Sequence, residues 1–377
     1  MNKAIKYRLY PTTEQCVMFA KTFGCCRKVY NLMLSDKIRS YQETGSFVSV
    51  TPAMYKEDYP YLREVDSLAL ANVQLNLQRA FKACFDKSRK KRNGFSKFKS
   101  AKHSRKAYTT NNQHGTVVVM ERAIKLPKIG RVKAVIHRVP DTDWILKSVT
   151  VLQEPDGKYY ASVLFEYRNT ATKVPVSDSV IGLDYASDGL YVDDQGNTGS
   201  HHKYYRESHA KLAKAQRRLS HMQGSQKGET KSCNYIKQLR KVNKIHRYIV
   251  NQRLDHLHKL STETANHRYD IVCAESLNMR SMANKGFGNG KATMDNGYGL
   301  FLDMLEYKLA DRGKCLVRVD KWYPSSQICH RCGIRHPEMK DLRIRTMRCS
   351  CGLVMNRDQN AAINIRQEGL RMLMEAA

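Results

Sequence analysis

Hydrophobic and polar residues alternate over the first ten positions, which puts Ile5, Tyr7 and Leu9 on one face of a short strand. Pro11-Thr12-Thr13-Glu14-Gln15 then opens a helix, with Thr12 and Gln15 at capping-box spacing. Apolar positions recur at helical intervals through Val29, Leu32 and Met33, and the pattern stops near Gly45. A second helix follows Asp66-Ser67, with Leu70, Val73, Leu77, Phe81 and Cys84 on one stripe. Between Tyr108 and Tyr167 the period changes to two, and β-branched residues predict strands over 116–120, 132–139, 148–152 and 159–165. Short strands separated by turns such as Pro155-Asp156-Gly157 suggest a small β-barrel or sheet, which the 1–10 strand can join. From Val180 the pattern changes again. Val180–Tyr185 and Ile271–Glu275 read as buried strands that each end in an acid, with Gly189–Asp193 as hairpin partner of the first. Residues 206–222 and 233–267 read as long basic helices, the second carrying Leu239, Val242, Ile245 and Ile249. A Gly-rich loop (285–291), a helix (298–311), a strand (315–319), a cysteine cluster and a last helix complete an α/β layer pattern.

Composition narrows the function. The 377 residues suit two or three domains, and 41% hydrophobic content argues for a folded chain. A formal charge of +30 calls for a long polyanion as partner, since an acidic metabolite would need only a local pocket. No apolar run approaches the ~18 residues of a membrane span, and the first residues lack a signal-peptide core. A soluble, cytoplasmic protein with no membrane partner is expected. Eleven cysteines fit a reducing compartment with some thiols spent on metal. From Lys87 to Lys106 there are ten Lys/Arg and no acid. Rings interleave with these cations, so Lys90, Lys91, Arg92, Phe95, Lys97, Phe98, Lys99 and Arg105 are expected to meet nucleic acid, phosphates on cations and bases on rings. The rival reading is a solvated charge run. Lys211, Arg217, Arg218, Lys237 and Arg240 on the two basic helices are candidates for lining the same groove, against a plain solvated helix face.

Two groups of residues carry chemistry. Cys329-x-x-Cys332 and Cys349-x-Cys351 flank sixteen residues, the arrangement of a structural zinc site with all four tetrahedral positions filled. The second pair is one residue shorter than usual, so His330 or His336 could replace a thiolate that cannot reach. Four buried apolar cysteines are the alternative. Asp184, Glu275 and Asp358 each sit at an element end beside apolar residues. If they converge, three hard oxygen donors suit two Mg²⁺ ions ~3.5–4 Å apart, the arrangement that cleaves phosphodiesters. Taken singly, Asp184 could cap a turn, Glu275 could pair with an arginine, and Asp358 could N-cap the last helix.

Seven segments together resemble one family. They are Tyr7-Arg8-Leu9-Tyr10-Pro11-Thr12, Gly94-Phe95-Ser96-Lys97-Phe98-Lys99, Tyr108-Thr109-Thr110-Asn111-Asn112, Ile181-Gly182-Leu183-Asp184, Ala274-Glu275-Ser276-Leu277-Asn278-Met279, Trp322-Tyr323-Pro324-Ser325-Ser326-Gln327-Ile328-Cys329, and Asn356-Arg357-Asp358-Gln359-Asn360-Ala361-Ala362. In this order, over nearly the whole chain, they resemble TnpB, the transposon-encoded RNA-guided nucleases related to compact type V CRISPR effectors. The resemblance implies an RNase H-like RuvC nuclease domain over 179–320 and 353–377, with Asp184, Glu275 and Asp358 as its catalytic, Mg²⁺-binding triad. It implies a zinc ribbon inserted at 321–352. It further implies a wedge β-barrel over 1–10 and 106–178 with a helical recognition domain, 11–105, inserted in it. The implied partners are a guide RNA from the transposon end and target double-stranded DNA, cut beside a short motif. By matched position Ser67, Ala71, Thr110 and Asn111 would read that motif. A single triad implies that both strands are cut in succession, and no second, HNH-type nuclease motif is present. The loop at 285–291 reads as a lid, or as an ordinary surface loop. Nothing fixes the oligomeric state; a monomer is expected. The competing classes are a DDE-type transposase, whose acids run in another order, and a nuclease-dead RNA-guided repressor. A compact CRISPR effector would share the chemistry.

Overall fold

The alternation at the start of the chain becomes strand β1 (Asn2–Tyr10), with Ile5, Tyr7 and Leu9 buried. The computed structural model describes all residues except 87–93, 169–170, 172–178, 201, 227, 283–289 and 377. Lys90, Lys91 and Arg92 therefore lie outside the described residues, as does most of the Gly-rich loop. The chain divides into two units, Met1–Arg168 and Asn169–Ala377.

In the first unit the capping box at Thr12 and Gln15 forms as expected and starts α1 (Thr13–Thr44). Gly45 ends it with a left-handed φ of 70°, which an L side chain rarely adopts. Asp66 caps α2 (Ser67–Phe85) by accepting from Leu68 N–H. Strands β2 (Lys106–Asn111), β3 (Val118–Val119), β4 (Ala123–Leu126), β5 (Gly130–Val135), β6 (Ile145–Gln153) and β7 (Tyr159–Glu166) join β1 in one antiparallel sheet. The order is β2-β6-β7-β1-β5-β4-β3. Phe19, Phe23, Val29 and Met33 of α1, with Leu70 and Leu77 of α2, share one core with Tyr108, Val149 and Val163 of the sheet. Two details differ from expectation. Among the described residues no ladder joins β2 to β3, so the sheet is not closed by hydrogen bonds into the expected barrel. The strand expected at 116–120 shrinks to two residues, and β4 is an additional one.

The second unit is built on a four-stranded sheet. Its strands are β8 (Val180–Tyr185), β9 (Tyr191–Asp193), β10 (Ile271–Glu275) and β11 (Cys315–Val319), in the order β11-β10-β8-β9. The strands β8, β10 and β11 are parallel, and β9 turns back on β8 as its hairpin partner. Parallel neighbours need crossover connections, and helices supply them. Between β9 and β10 run α3 (Tyr204–Ser220) and α4 (Cys233–Asn266), zipped by Leu212, Ala215, Val242, Ile245 and Ile249. After β10 come α5 (Met279–Met282), α6 (Gly290–Asn296) and α7 (Tyr298–Ala310). Gly290 and Lys291, expected in the loop, thus open a helix instead. A two-stranded hairpin, β12 (Thr346–Arg348) and β13 (Val354–Asn356), precedes α8 (Arg357–Ala376).

The two faces of this sheet are distinct. Ile181, Leu183, Val272 and Ala274 pack against Leu257, Leu260, Phe301 and Leu305 from α4 and α7. Val180, Cys273 and Val317 pack against Ile365 of α8 on the other side. Two glycines allow that second contact to be close: a Cβ at Gly182 would collide with the Ala362 carbonyl, and one at Gly369 with the Cys273 sulfur. Among the described residues no helix is long and apolar enough to cross a membrane.

Candidate functional site

Asp184 and Glu275 end adjacent parallel strands, one step beyond the Leu183–Ala274 pair. Side chains alternate along a strand, so both acids share the face of Gly182 and Cys273, the face that α8 covers. Asp358 lies in the first turn of α8. It does not cap that helix: Asn356 accepts from the N–H groups of Asp358 (2.8 Å) and Gln359 (3.3 Å), leaving the Asp358 carboxylate for other work. Glu275 has no ion pair among the described residues, and the nearby Arg318 is taken by Asp303 and Glu306. Burial pushes the Asp184 carboxyl well above the usual range, and the negative charges of Glu275 and then Asp358 push it further. Burial, with Asp320 next in order, raises Glu275 to about 7.

Such a site is a sink for cations, and an arginine occupies part of that role. Arg357, itself buried, donates from Nε and Nη2 to Asp358 Oδ1 at 3.1 and 3.0 Å, and Arg345 reaches Oδ2 at 3.4 Å. Asp184 and Glu275 share one end of the sheet and the charge of Asp358 on α8 reaches Asp184, yet among the described residues the only metal-type cluster with all ligand atoms within 4.8 Å is the cysteine quartet. The donor set suits Mg²⁺: hard carboxylate oxygens, of which those of the half-buried Asp184 have no ion pair among the described residues. Asp184, Glu275 and Asp358 would hold it.

The sequence pattern alone did not single out three further residues. Asp320 directly follows β11, one step beyond the Val319 that pairs with Glu275 at the end of β10, and a search for acids at buried strand ends would have found it. Asp194 is fully buried and accepts from Gly182 N–H (3.3 Å) and Arg366 Nη1 (2.9 Å), while Gln359 donates to its carbonyl (3.3 Å). It therefore ties β8 to the helix carrying Asp358. Tyr298, fully buried, has a hydroxyl with no hydrogen-bond partner among the described residues, and burial with the charges of Asp184 and Glu275 holds its phenol well above the ordinary range.

All four cysteine sulfurs converge, so the shortened pair does reach. Cys329 and Cys351 sulfurs are 3.7 Å apart, and those of Cys332 and Cys349 are 3.5 Å apart. A tetrahedron of Zn–S bonds of ~2.3 Å has edges of about 3.8 Å, whereas a disulfide would bring sulfurs to ~2.05 Å. Zinc fits and a disulfide does not. Gly333 and Gly352 make the tight turns with φ of 77° and 85°. His330 is bonded to Asn360 and does not join the sulfurs. His336 lies beside Cys349, whose thiol is lowered to about 5, first by the Cys351 N–H and then by His336.

The expected nucleic-acid residues fall in both units, each considered by itself. In the second, Lys211, Arg217, Arg218, Lys237 and Arg240 are exposed, and none has an ion pair among the described residues. In the first, Lys97, Phe98 and Arg105 are exposed, Phe95 packs edge-on against Phe81, and the Lys99 ammonium sits 3.8 Å from the Tyr30 ring centre. Ser67 is exposed at the start of α2, and Ala71 and Asn111 are half-buried. Thr110 is wholly buried, its hydroxyl donating to Asp66 at 2.5 Å, so here it braces the α2 cap and does not face solvent.

Family models match much of the chain. "Helix-turn-helix domain" matches residues 1–46, "Probable transposase" 150–285, and "Cas12f1-like, TNB domain" 298–365. Residues 1–46 here hold one strand and one unbroken helix. A Streptomyces pristinaespiralis protein named as a candidate RNA-guided DNA endonuclease is 34% identical over 98% of this chain and 90% of its own. InsQ of Escherichia coli K12, named likewise, is 27% identical over 98% of this chain and 93% of its own. Among solved structures, Cas12f1 in a complex with sgRNA and target DNA aligns over 97% of this chain and 98% of its own, with a TM-score of 0.52 and 12% identity. That likeness shows a common fold. With relatives aligned end to end along it, the chain belongs to the TnpB family.

Proposed function

We propose that this chain is an RNA-guided, Mg²⁺-dependent DNA endonuclease that cuts double-stranded DNA beside a short motif. The observation that carries the reading is the placement of Asp184 and Glu275 on neighbouring strand ends, under the helix whose first turn holds Asp358. A mixed sheet with a helix over that face suits an RNase H-like RuvC domain, here 179–320 and 353–377, with the ribbon at 321–352 held by one structural zinc. The antiparallel sheet of the first unit suits the wedge, 1–10 and 106–178, and α1 and α2 suit the recognition domain, 11–105. The named activity of the relatives points the same way.

When bound, Mg²⁺ would activate water and stabilise the leaving oxygen. The chain's own residues do the rest. Asp184, Glu275 and Asp358 would present the oxygens, Asp194 holds β8 and α8 in register, and Arg357 and Arg345 balance the charge of Asp358. Exposed cations on α3 and α4 neutralise phosphates, which makes affinity fall with salt, and guide pairing supplies the sequence choice. The protein would work in a prokaryotic cytoplasm, on DNA reached by a transposon-derived guide.

The test is plasmid cleavage by the chain purified with RNA expressed from flanking DNA. Cutting should require the RNA and Mg²⁺, and Asp184→Ala should abolish it while leaving guided DNA binding intact. RNA-independent cutting would return the chain to the transposase reading, and full cleavage by Asp184→Ala would remove the triad.

A further inference from the structure

The chain has two tryptophans, and their surroundings differ. Trp144 is half-buried against Phe165 and Tyr167. Trp322 is 79% exposed, more than any other large apolar side chain among the described residues. An aromatic side chain normally buries ~150–250 Å², so this indole leaves a large apolar surface in water. Slack in the backbone does not explain it. Asp320 accepts from Trp322 N–H through Oδ1 (2.8 Å) and from Tyr323 N–H through its carbonyl (3.1 Å), which closes a turn. Tyr323 packs with Val319 and Ile365, and Asn364 of α8 donates to the Ser325 and Ile328 carbonyls at 2.7 and 2.6 Å. The segment is stapled down next to the indole, and the ring still faces solvent.

That turn is close to the acids. Val319, the last residue of β11, pairs in register with Glu275. Neighbouring strands lie ~4.8 Å apart and a chain gains at most ~3.6 Å per residue, so the Cα atoms of Trp322 and Glu275 are within about 16 Å. That is roughly five base steps of a nucleic-acid strand, or fewer. Lys321 holds its ammonium 4.7 Å from the centre of the indole and has no carboxylate partner among the described residues.

We propose that Trp322 positions the substrate for cleavage: its indole stacks on one unpaired base of the strand being cut, with Lys321 on the adjoining phosphate, and so fixes which phosphodiester lies at Asp184, Glu275 and Asp358. Ring and ammonium match the two halves of a nucleotide. Every base has a π-face, so the grip tolerates any sequence, as it must where the guide makes the sequence choice. An apolar protein partner would instead bury the Lys321 charge without compensation. The stacking stands on its own, and its role in placing the cut rests on the nuclease reading.

The test has two arms, both on the full chain. In the first, oligothymidylate and an abasic strand of equal length are titrated in. Indole emission reports stacking, and the anisotropy of fluorescein-labelled copies reports binding. Oligothymidylate should quench the emission and the abasic strand should not. Trp322→Leu, an exposed site where folding is not at stake, should remove the quench and weaken oligothymidylate binding about five- to hundredfold, the effect of one stacked base. In the second arm, guide-loaded Trp322→Leu should spread its cuts over neighbouring phosphates with the half-saturating Mg²⁺ concentration unchanged, and Trp322→Phe should restore the single position. Binding without a quench, an equal quench by the abasic strand, or an unshifted cut by Trp322→Leu would overturn the proposal. Self-association that Trp322→Leu abolishes, with no quench by DNA, would assign the indole to a second copy and overturn it as well. Absence of guided cutting by the unaltered protein would instead remove the nuclease reading, and the quench would still decide the stacking.

Discussion

A single methyl group tests how closely α8 must lie on the sheet. At Gly182 a Cβ would fall inside the Ala362 carbonyl oxygen, with the carbonyl carbon and Arg366 Cβ each 3.0 Å away. Neither neighbour is the free end of a flexible side chain, so the helix itself must retreat. Restoring an ordinary contact of about 3.5 Å from the 2.0 Å to that oxygen moves α8 by roughly 1.5 Å. Overpacking of this kind costs about 1–3 kcal/mol, and each kcal/mol lowers the melting temperature of a unit this size by about 2–4 °C. Asp358 rides on the displaced end. A misplacement of ~1 Å at reacting groups can lower the rate about 100-fold. Thermal denaturation and guide-loaded plasmid cleavage of Gly182→Ala should therefore fall together. Gly24 is the control: it lies in α1 with no left-handed φ, and a Cβ added there would meet no atom within 4 Å, so Gly24→Ala should gain about 0.5–1 kcal/mol. A Gly182→Ala protein as stable and as active as the original would refute the close packing of β8 and α8.

Other outcomes follow from single contacts. Metal analysis should find about one zinc per chain, and Cys329→Ser, which removes a buried ligand, should lose the metal and destabilise the 321–352 hairpin; a zinc-free protein of unchanged melting temperature would contradict this. Burial, then the charge of Arg312, lowers Lys308 from 10.5 to about 8. Below about pH 8 the lysine is charged whether folded or unfolded and the folded state carries the full penalty; from about 8 to 10.5 only the unfolded chain holds the proton, so stability should rise with pH across that window. Screened by water, the gain is about 1–2 kcal/mol, and urea titrations should show Lys308→Met flattening it. Thr110→Val removes the hydroxyl that braces the Asp66 cap and should cost about 1–2 kcal/mol; a neutral result would mean that Asp66 holds α2 without it.

The parts of the molecule that were legible in the sequence are those set by local pattern. The capping box at Thr12, the left-handed stop at Gly45 and the inward run of Ile5, Tyr7 and Leu9 are local, and the structure carries each. A buried strand ending in an acid located Asp184 and Glu275, and the same rule reaches Asp320 when applied to Cys315–Val319. The buried state of Thr110 was also within reach, since period two puts it on the same face as Tyr108. Other features were not local. The partner of Asp194 is Arg366, 172 residues away, and no spacing links them. Whether a run of strands closes into a barrel depends on which edges meet, which alternation does not encode. Ala123–Leu126 is too short and too close to Pro127 to stand out as a strand.

The central claim is that Asp184, Glu275 and Asp358 form one divalent-metal centre. Manganese, a spectroscopically and crystallographically visible stand-in for magnesium, can be introduced into crystals of the guide-loaded protein and located by anomalous diffraction. The account predicts manganese bounded by oxygens of all three acids, with Asp358 turned away from Arg345. Manganese absent from that sheet edge, with Asp358 still held by Arg357 and Arg345, would contradict it.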